Sequence, residues 1–286
     1  MAIKKTLIFQ GIFKRKRLSK IILNLLDKLT KIFGNKVIKS YGRKGSMKHI
    51  FVNLKRFDVP RAMGGVNGIA DIRDWGPCVI EGTQDALEKY RGQDVEFAMF
   101  FPELHILTAA GALKQDSMIQ LGCQGVYGQD VQPGGNFGAF TTDRPAAAMK
   151  AAGCGYVIVG HCEERNHIRG VLEEAGCGDT AAQGRILNAE IQAAAARGMK
   201  VLYCIGEKSE ELERWEEVLG EQLESGLSGV DKSMVTIAYE PIWSIGPGKT
   251  PAGKEYITKI AKFVKEKTGG MDVVYGGGLK QDNAAM

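Results

Sequence analysis

The sequence predicts an α/β fold, a parallel (β/α)8 barrel with seven of its strands readable and an eighth βα unit missing. Two observations carry that prediction. From Met47 onward, short apolar runs alternate with Ala-rich and charge-rich stretches of helical composition, the pattern of repeated βα units. In addition, the polar residues that could do chemistry gather at the C-terminal ends of many strands. A barrel collects its chemistry on one rim in this way, whereas a doubly wound sheet concentrates it at a switch point.

The expected strands lie near His49 to Asn53, Glu96 to Phe101, Cys123 to Val131, Gly155 to Gly160, Lys200 to Ile205, Val235 to Glu240 and Asp272 to Tyr275. Between them, Thr83 to Tyr90, Ala181 to Arg197, Glu210 to Leu227 and Gly253 to Lys267 read as helices, with Gly198 and Gly269 placed as C-terminal stops. Asn53, Lys55, Gln129, Asp130, His161, Glu163, Glu207, Glu240 and the run Gly276 to Gly278 fall on the common rim.

Charge divides the 286 residues into two parts behind a net +5. Residues 1–46 hold thirteen Lys and Arg against one acid, Asp27, while residues 47–286 hold 25 bases against 32 acids. The expected domain boundary is therefore Met47. Inside the leader, Leu18, Ile21, Ile22, Leu25, Leu26, Leu29, Ile32 and Phe33 recur at helical spacing opposite Lys20, Lys28 and Lys31, a basic amphipathic helix. Such a helix suits a membrane surface or an organelle presequence. The preferred expectation is that the leader is foreign to the domain, because Gly42 to Ser46 can be encoded by a purine-rich run of the ribosome-binding type that would make Met47 the start. The mildly acidic body gives no reason to expect nucleic acid, and membrane contact would come only through the leader.

No apolar run approaches the roughly 20 residues needed to span a bilayer. Six cysteines without a C-x-x-C pair point to reduced thiols and a cytoplasmic protein. The four histidines form no zinc-like pattern in the sequence, His161 and His167 standing six apart, so no metal is expected.

His161 follows the apolar strand Tyr156 to Gly160 and opens a helix. Amides at that helix start would disfavour the imidazolium and leave a neutral ring able to donate to a substrate carbonyl. Glu240 ends another strand against Pro241, Ile242 and Trp243, and a carboxylate stripped of water beside apolar bulk makes a better base. The loop that follows, through Ile245, Gly246, Pro247, Gly248, Lys249 and Thr250 to Pro251, describes a stiff lid with apolar anchors and glycine hinges. Its Gly248-Lys249-Thr250 is not a nucleotide loop, since Trp243 stands where the first glycine is needed. The amides of Gly246, Gly277 and Gly278 could approach an anion closely, and Lys55, with Asn53, would balance its charge.

Taken together these segments resemble the triosephosphate isomerase family, in order, across about residues 48 to 280. Gly160-His161-Cys162-Glu163-Glu164-Arg165 is similar to the family's Gly-His-Ser-Glu-Arg-Arg segment, and Tyr239-Glu240-Pro241-Ile242-Trp243 through Thr250 to its base-and-lid segment; Cys204 to Glu207 and Tyr275 to Gly277 match further. The resemblance implies a TIM barrel that interconverts dihydroxyacetone phosphate and D-glyceraldehyde 3-phosphate in glycolysis and gluconeogenesis, with no metal or organic cofactor. By the same resemblance Glu240 is the base, His161 the electrophile and Lys55 the electrostatic partner. Asn53, Gly246, Gly277 and Gly278 bind substrate; Cys162, Glu163 and Arg165 support the site; Pro241, Ile242, Trp243, Ile245, Lys249 and Thr250 form the lid. Gly128 to Asp143 resembles the family's protruding dimer loop, so Thr141 would reach into the partner of a homodimer.

Leu54, Cys162, Asp130, Pro247 and Gly278 depart from that pattern, replacing Trp, Ser, Asn, Thr and Ser. A related four-carbon ketose-phosphate isomerase is the alternative, with an inactive fragment that binds membrane or nucleic acid through its leader behind it. The last expectation concerns the edge. With only eight residues after Gly278, the family's eighth strand has no counterpart, and a barrel short of one strand would leave two unpaired edges.

Overall fold

The computed structural model describes residues 7–9, 47–246 and 248–278. Eight parallel strands close into a barrel in sequence order. They are β1 Leu7–Phe9, β2 Lys48–Asn53, β3 Val95–Phe101, β4 Ile119–Cys123, β5 Tyr156–Val159, β6 Lys200–Ile205, β7 Val235–Tyr239 and β8 Val273–Tyr275. Six of the seven strands expected from the body lie where they were read. The expected pair of open edges is not present: the leader segment Leu7–Phe9 lies parallel between them, matched with Ile50, Phe51 and Val52 of β2 and, through Leu7, with Tyr275 of β8. Composition marked the leader as foreign because charge and Ala content differ, but a three-residue apolar run is enough to satisfy an edge. The amphipathic helix expected at residues 18–33 and the rest of the leader lie outside the described residues.

One strand was misplaced. Instead of Cys123 to Val131, β4 is Ile119–Cys123, and the chain leaves the sheet where the longer run was expected to continue it. Gly122 disguised it, since glycine weakens a strand signal. Here glycine is required by packing, because a Cβ at Gly122 would sit 2.5 Å from the ring of Phe100.

Side-chain alternation sorts each strand into an interior and an exterior set. Phe51, Ala98, Phe100, Tyr156, Ile158, Leu202, Cys204, Ala238 and Val274 fill the barrel interior. Val52, Val157, Val159, Val201, Tyr203, Ile237 and Tyr239 point outward to the helices. The helices Ala182–Ala196, Trp215–Gly226 and Lys254–Thr268 lie largely where helical composition was read, Thr83 to Tyr90 holds only the short helix Gln84–Leu87 and a 3-10 turn at Glu88–Tyr90, the helix Cys162–Glu174 follows β5 from His161 on, and Gly198 and Gly269 adopt left-handed φ of 64° and 78°. The helices Trp75–Glu81, Glu103–Ala112 and Ala146–Ala151 were not separately anticipated.

The floor of the barrel, at the N-terminal ends of the strands, carries a charge cluster. His49 Nδ1 contacts Glu96, its register partner on β3, and Nε2 lies 3.0 Å from Asp272, just before β8. Tyr156 donates to the other Glu96 oxygen at 2.6 Å and Lys200 approaches it at 3.3 Å. Burial pulls the His49 pKa down, but the hydrogen bonds and charges of Glu96 and Asp272 outweigh it and raise it. Burial likewise lifts Glu96, yet His49, Tyr156 and Lys200 bring it down to about 2.

The signs of these two shifts set a pH window. A histidine with a raised pKa stabilises fully below its unfolded value of about 6.5, and that contribution is lost as pH rises through the folded value. A carboxyl with a lowered pKa stabilises above its unfolded value of about 4.5, and that contribution is lost as pH falls towards about 2. Urea unfolding is therefore expected to show the cluster's contribution at its greatest between about pH 4.5 and 6.5. His49→Gln should remove the alkaline-side decline and cost about 3 kcal/mol within that window. Parallel profiles for the two proteins would contradict the assignment.

Candidate active site

At the opposite end of the strands, β5 hands over to the helix Cys162–Glu174, and His161 is its N-cap. The ring takes the capping role itself: Nδ1 accepts the Glu163 N–H at 3.2 Å. A nitrogen that accepts cannot also carry the proton, so the ring proton lies on Nε2. Nε2 lies 3.5 Å from Oε1 of Glu240. The two groups expected to face each other across one mouth therefore do so, both buried.

Glu240 follows β7, held by its N–H to the Ile205 carbonyl at 2.8 Å. Its other oxygen, Oε2, accepts the Cys162 N–H at 3.2 Å. With cysteine at position 162, the carboxylate is held by a backbone amide at the helix start. Cys162 itself is 9% exposed, and burial together with the charge of Glu240 pushes its thiol up to about 12.

Lys55 has a left-handed φ of 44°, a strained geometry for a residue with a side chain. It is fixed from several sides. The buried Asn53 accepts the Lys55 N–H at 2.9 Å, and Gln124, after β4, donates to the Asn53 side chain, the Lys55 carbonyl and the Phe100 carbonyl at 3.3, 3.0 and 3.2 Å. Below the loop, Asp58 is buried against Arg56 and His105, at 2.7 and 3.1 Å. The Lys55 ammonium reaches Glu163 Oε1 at 2.6 Å. Burial raises the Glu163 pKa, but the hydrogen bond and charge of Lys55 outweigh it and hold it below the usual range.

Arg165 is buried beneath the site, donating to the carbonyls of Gly160 and Cys204 at 2.8 Å each and to the Tyr203 hydroxyl at 3.0 Å. It ties the ends of β5 and β6 together. Glu164 accepts the Gly160 N–H. Burial and the neighbouring Glu164 carboxyl push the Glu190 pKa up.

The lid is anchored by a residue the sequence placed on the rim without a role. Glu207, fully buried, accepts through one oxygen from Trp243 Nε1 at 2.8 Å, Tyr239 at 2.8 Å and Tyr256 at 3.2 Å. Pro241 is buried, Ile242, Trp243 and Ile245 are half-buried, and Gly246, Lys249 and Thr250 are exposed. The segment is thus tethered at its start and open to water beyond, as a lid with an apolar hinge requires. Pro247 lies outside the described residues. The turn after β8 abuts the lid: a Cβ at Gly278 would lie 3.4 Å from Pro251 and from the Ser244 carbonyl, and one at Gly277 only 2.1 Å from the Tyr275 hydroxyl.

An imidazole and a carboxylate converge on one mouth, a lysine is fixed beside them, and a segment tethered through Trp243 and a glycine turn adjoin it. The comparisons with known proteins point the same way. A model of the family described as triosephosphate isomerase matches residues 79–286. This chain belongs to the triosephosphate isomerase family.

Among curated relatives, the triosephosphate isomerase of Parasynechococcus marenigrum is 32% identical over 195 residues, which cover 67% of this chain and 72% of that protein. Those of Chlorobium phaeovibrioides and Nitratidesulfovibrio vulgaris are each 37% identical, over 160 and 173 residues. The chain spans 59% and 64% of their lengths, less than two thirds. In three dimensions it is similar to the crystal structure of triosephosphate isomerase from Bartonella henselae, with a TM-score of 0.59 and 26% identity, covering 82% of this chain and 84% of that one. The family-model match begins at residue 79, after β2, so Asn53 and Lys55 lie outside it.

Gly206 sets the position of the carboxylate. A Cβ there would stand 1.9 Å from the Glu240 carbonyl oxygen, so no other residue fits without moving that segment. Gly206→Ala is expected to destabilise the fold by about 2 kcal/mol through overpacking. Chemical denaturation checks this, and an unchanged midpoint would show that the β6 and β7 ends are looser than described.

Proposed function

We propose that the chain interconverts dihydroxyacetone phosphate and D-glyceraldehyde 3-phosphate, the glycolytic and gluconeogenic step, through an enediolate. The carrying observation is the 3.5 Å approach of His161 Nε2 to Glu240, with the ring proton on that nitrogen. Glu240 takes a proton from one substrate carbon and returns it to the neighbouring one, while Nε2–H and the Lys55 ammonium stabilise charge growing on the oxygens. Donors preset in a water-poor pocket act without reorganising, which is why they lower the barrier. The amides of Gly246, Gly277 and Gly278 are proposed to receive the phosphate, and the lid to close over it from its hinge at Trp243. No redox centre or electron sink is required, because the proton returns to the same molecule.

A homodimer is part of this proposal. The loop between β4 and the helix Ala146–Ala151 is pinned at its base: Asp130 accepts the Ala147 N–H at 3.1 Å and pairs with Arg197, which also binds the Val131 carbonyl. Beyond that base the loop carries Phe137, 94% exposed, towards Thr141. Elsewhere on the chain a cavity lined by Arg56, Leu104, Ile106, Leu107, Gln124 and Arg144, with Leu104 and Leu107 largely exposed, offers a receiving surface beside the Lys55 loop. Thr141 of a second copy would then lie near the site.

We place the protein in the cytoplasm, where six cysteines without a C-x-x-C pair stay reduced. Among the described residues no helix is long and apolar enough to cross a membrane.

A coupled assay with three-carbon and four-carbon ketose phosphates tests the reaction. Turnover is expected with the triose phosphates, falling by roughly a hundredfold in His161→Gln and in Lys55→Met, about 3 kcal/mol each. Preference for the four-carbon substrate would redirect the proposal to the sister isomerase. For the assembly, sedimentation should show a dimer that Phe137→Asp shifts towards monomer, since it puts a charge where an apolar anchor docks.

A further inference from the structure

Cys162 places a thiol among the two groups that would perform the chemistry. His161, Cys162 and Glu240 each offer one ligand atom, and the three atoms lie within 4.8 Å of one another. His161 Nε2 and Glu240 Oε1 are 3.5 Å apart. Two ligands held about 2.1 Å from a tetrahedral ion stand roughly 3.4 Å from each other, so this pair already has the span of a single coordination sphere. Imidazole, thiolate and carboxylate are the donor types that zinc accepts, and three such ligands leave a fourth position for water.

The surroundings can support the coordinated ring. Coordination through Nε2 moves the ring proton to Nδ1, which then stops accepting the Glu163 N–H. Glu163 Oε2, 3.7 Å from Nδ1, is placed to receive that proton's hydrogen bond instead. A carboxylate behind a metal-bound imidazole is a common orienting arrangement.

We propose that this mouth binds a borderline divalent cation, zinc foremost, through His161, Cys162 and Glu240, and that the occupied form cannot act as an isomerase. On binding, the thiol releases its proton to solvent and the ion exchanges hydration water for the three ligands, with no change of oxidation state. The ion is an inhibitor and not a cofactor, because it takes the Glu240 oxygen and the His161 nitrogen that the substrate needs. Ion and sugar phosphate therefore exclude each other. The binding half of the inference stands on the side-chain geometry alone, and the inhibition half rests on the proposed isomerase reading. The spacing of His and Cys along the chain gave no hint of this site because its ligands come from the ends of β5 and β7.

The full chain, stripped of metal and titrated with Co²⁺ alone, should bind one ion. A thiolate-to-cobalt charge-transfer band and the visible bands of four-coordinate cobalt are expected, both removed by Zn²⁺. The band should persist in Cys177→Ala, which removes the exposed thiol, and vanish in Cys162→Ser, with Zn²⁺ affinity falling by more than about tenfold. Absence of the band in the unaltered chain, or equal Zn²⁺ affinity in Cys162→Ser, overturns the proposal. In the coupled assay, inhibition by Zn²⁺ should compete with substrate and be reversed by a chelator. Tight cobalt binding in a chain that turns over no triose phosphate would leave the cation site standing and sink the isomerase reading. Full activity with the ion bound would sink the mutual exclusion.

Discussion

The first turn of the helix Cys162–Glu174 is the constraint on which the site depends. One of its free amides, Cys162 N–H, holds the Glu240 carboxylate, and the next, Glu163 N–H, holds Nδ1 of His161. These are donors that every helix start leaves without an internal partner. Here the same turn fixes the place of the Glu240 carboxylate and the tautomer of the His161 ring. The two residues sit at the ends of strands separated by β6, and alternate strands of a barrel point their side chains into a common layer. Barrel closure therefore brings the carboxylate over the helix start, and the helix start determines which ring nitrogen faces it.

The dipeptide Gly206-Glu207 couples this base to the lid. Gly206 lets the chain after β6 pass within contact of the Glu240 carbonyl, and Glu207 grips Trp243 three residues beyond Glu240. The Ile242 N–H also bonds the Glu207 carbonyl, at 3.1 Å. Trp243 and the Glu240 carboxylate are thus referred to the same short segment. The proposed lid and the proposed base share one support.

How much of this was legible follows from where the signals reside. Glu240, His161 and Lys55 could be found because each is a polar residue ending an apolar run, a local pattern. Gln124 and Asp58 could not, since their roles depend on which carbonyls and side chains another strand brings near; Gln124 binds groups on both β2 and β3. The strand Ile119–Cys123 was obscured by a glycine whose reason is the Phe100 ring on the neighbouring strand. Leu7–Phe9 was hidden differently, because three residues carry no periodicity and the surrounding leader has the composition of another kind of segment. For Gln124, Asp58 and Gly122 the unread information is nonlocal.

That last strand changes how closure must be understood. Its ladder is short, three residues with β2 and a single register pair with β8, so backbone hydrogen bonds alone give the seam little strength. At the floor, however, His49 at the start of β2 reaches Asp272 at the foot of β8 and Glu96 on β3 in the same step. The His49 ring bridges the two strands that flank β1 without depending on it. Side-chain charge at the bottom therefore joins what the thin ladder joins above. Because Asn53 and Lys55 leave β2 at the top and Gly276 to Gly278 leave β8, the spacing of these proposed phosphate and charge partners is set by that seam. The residues that hold the barrel shut at one end thus govern the width of the mouth at the other.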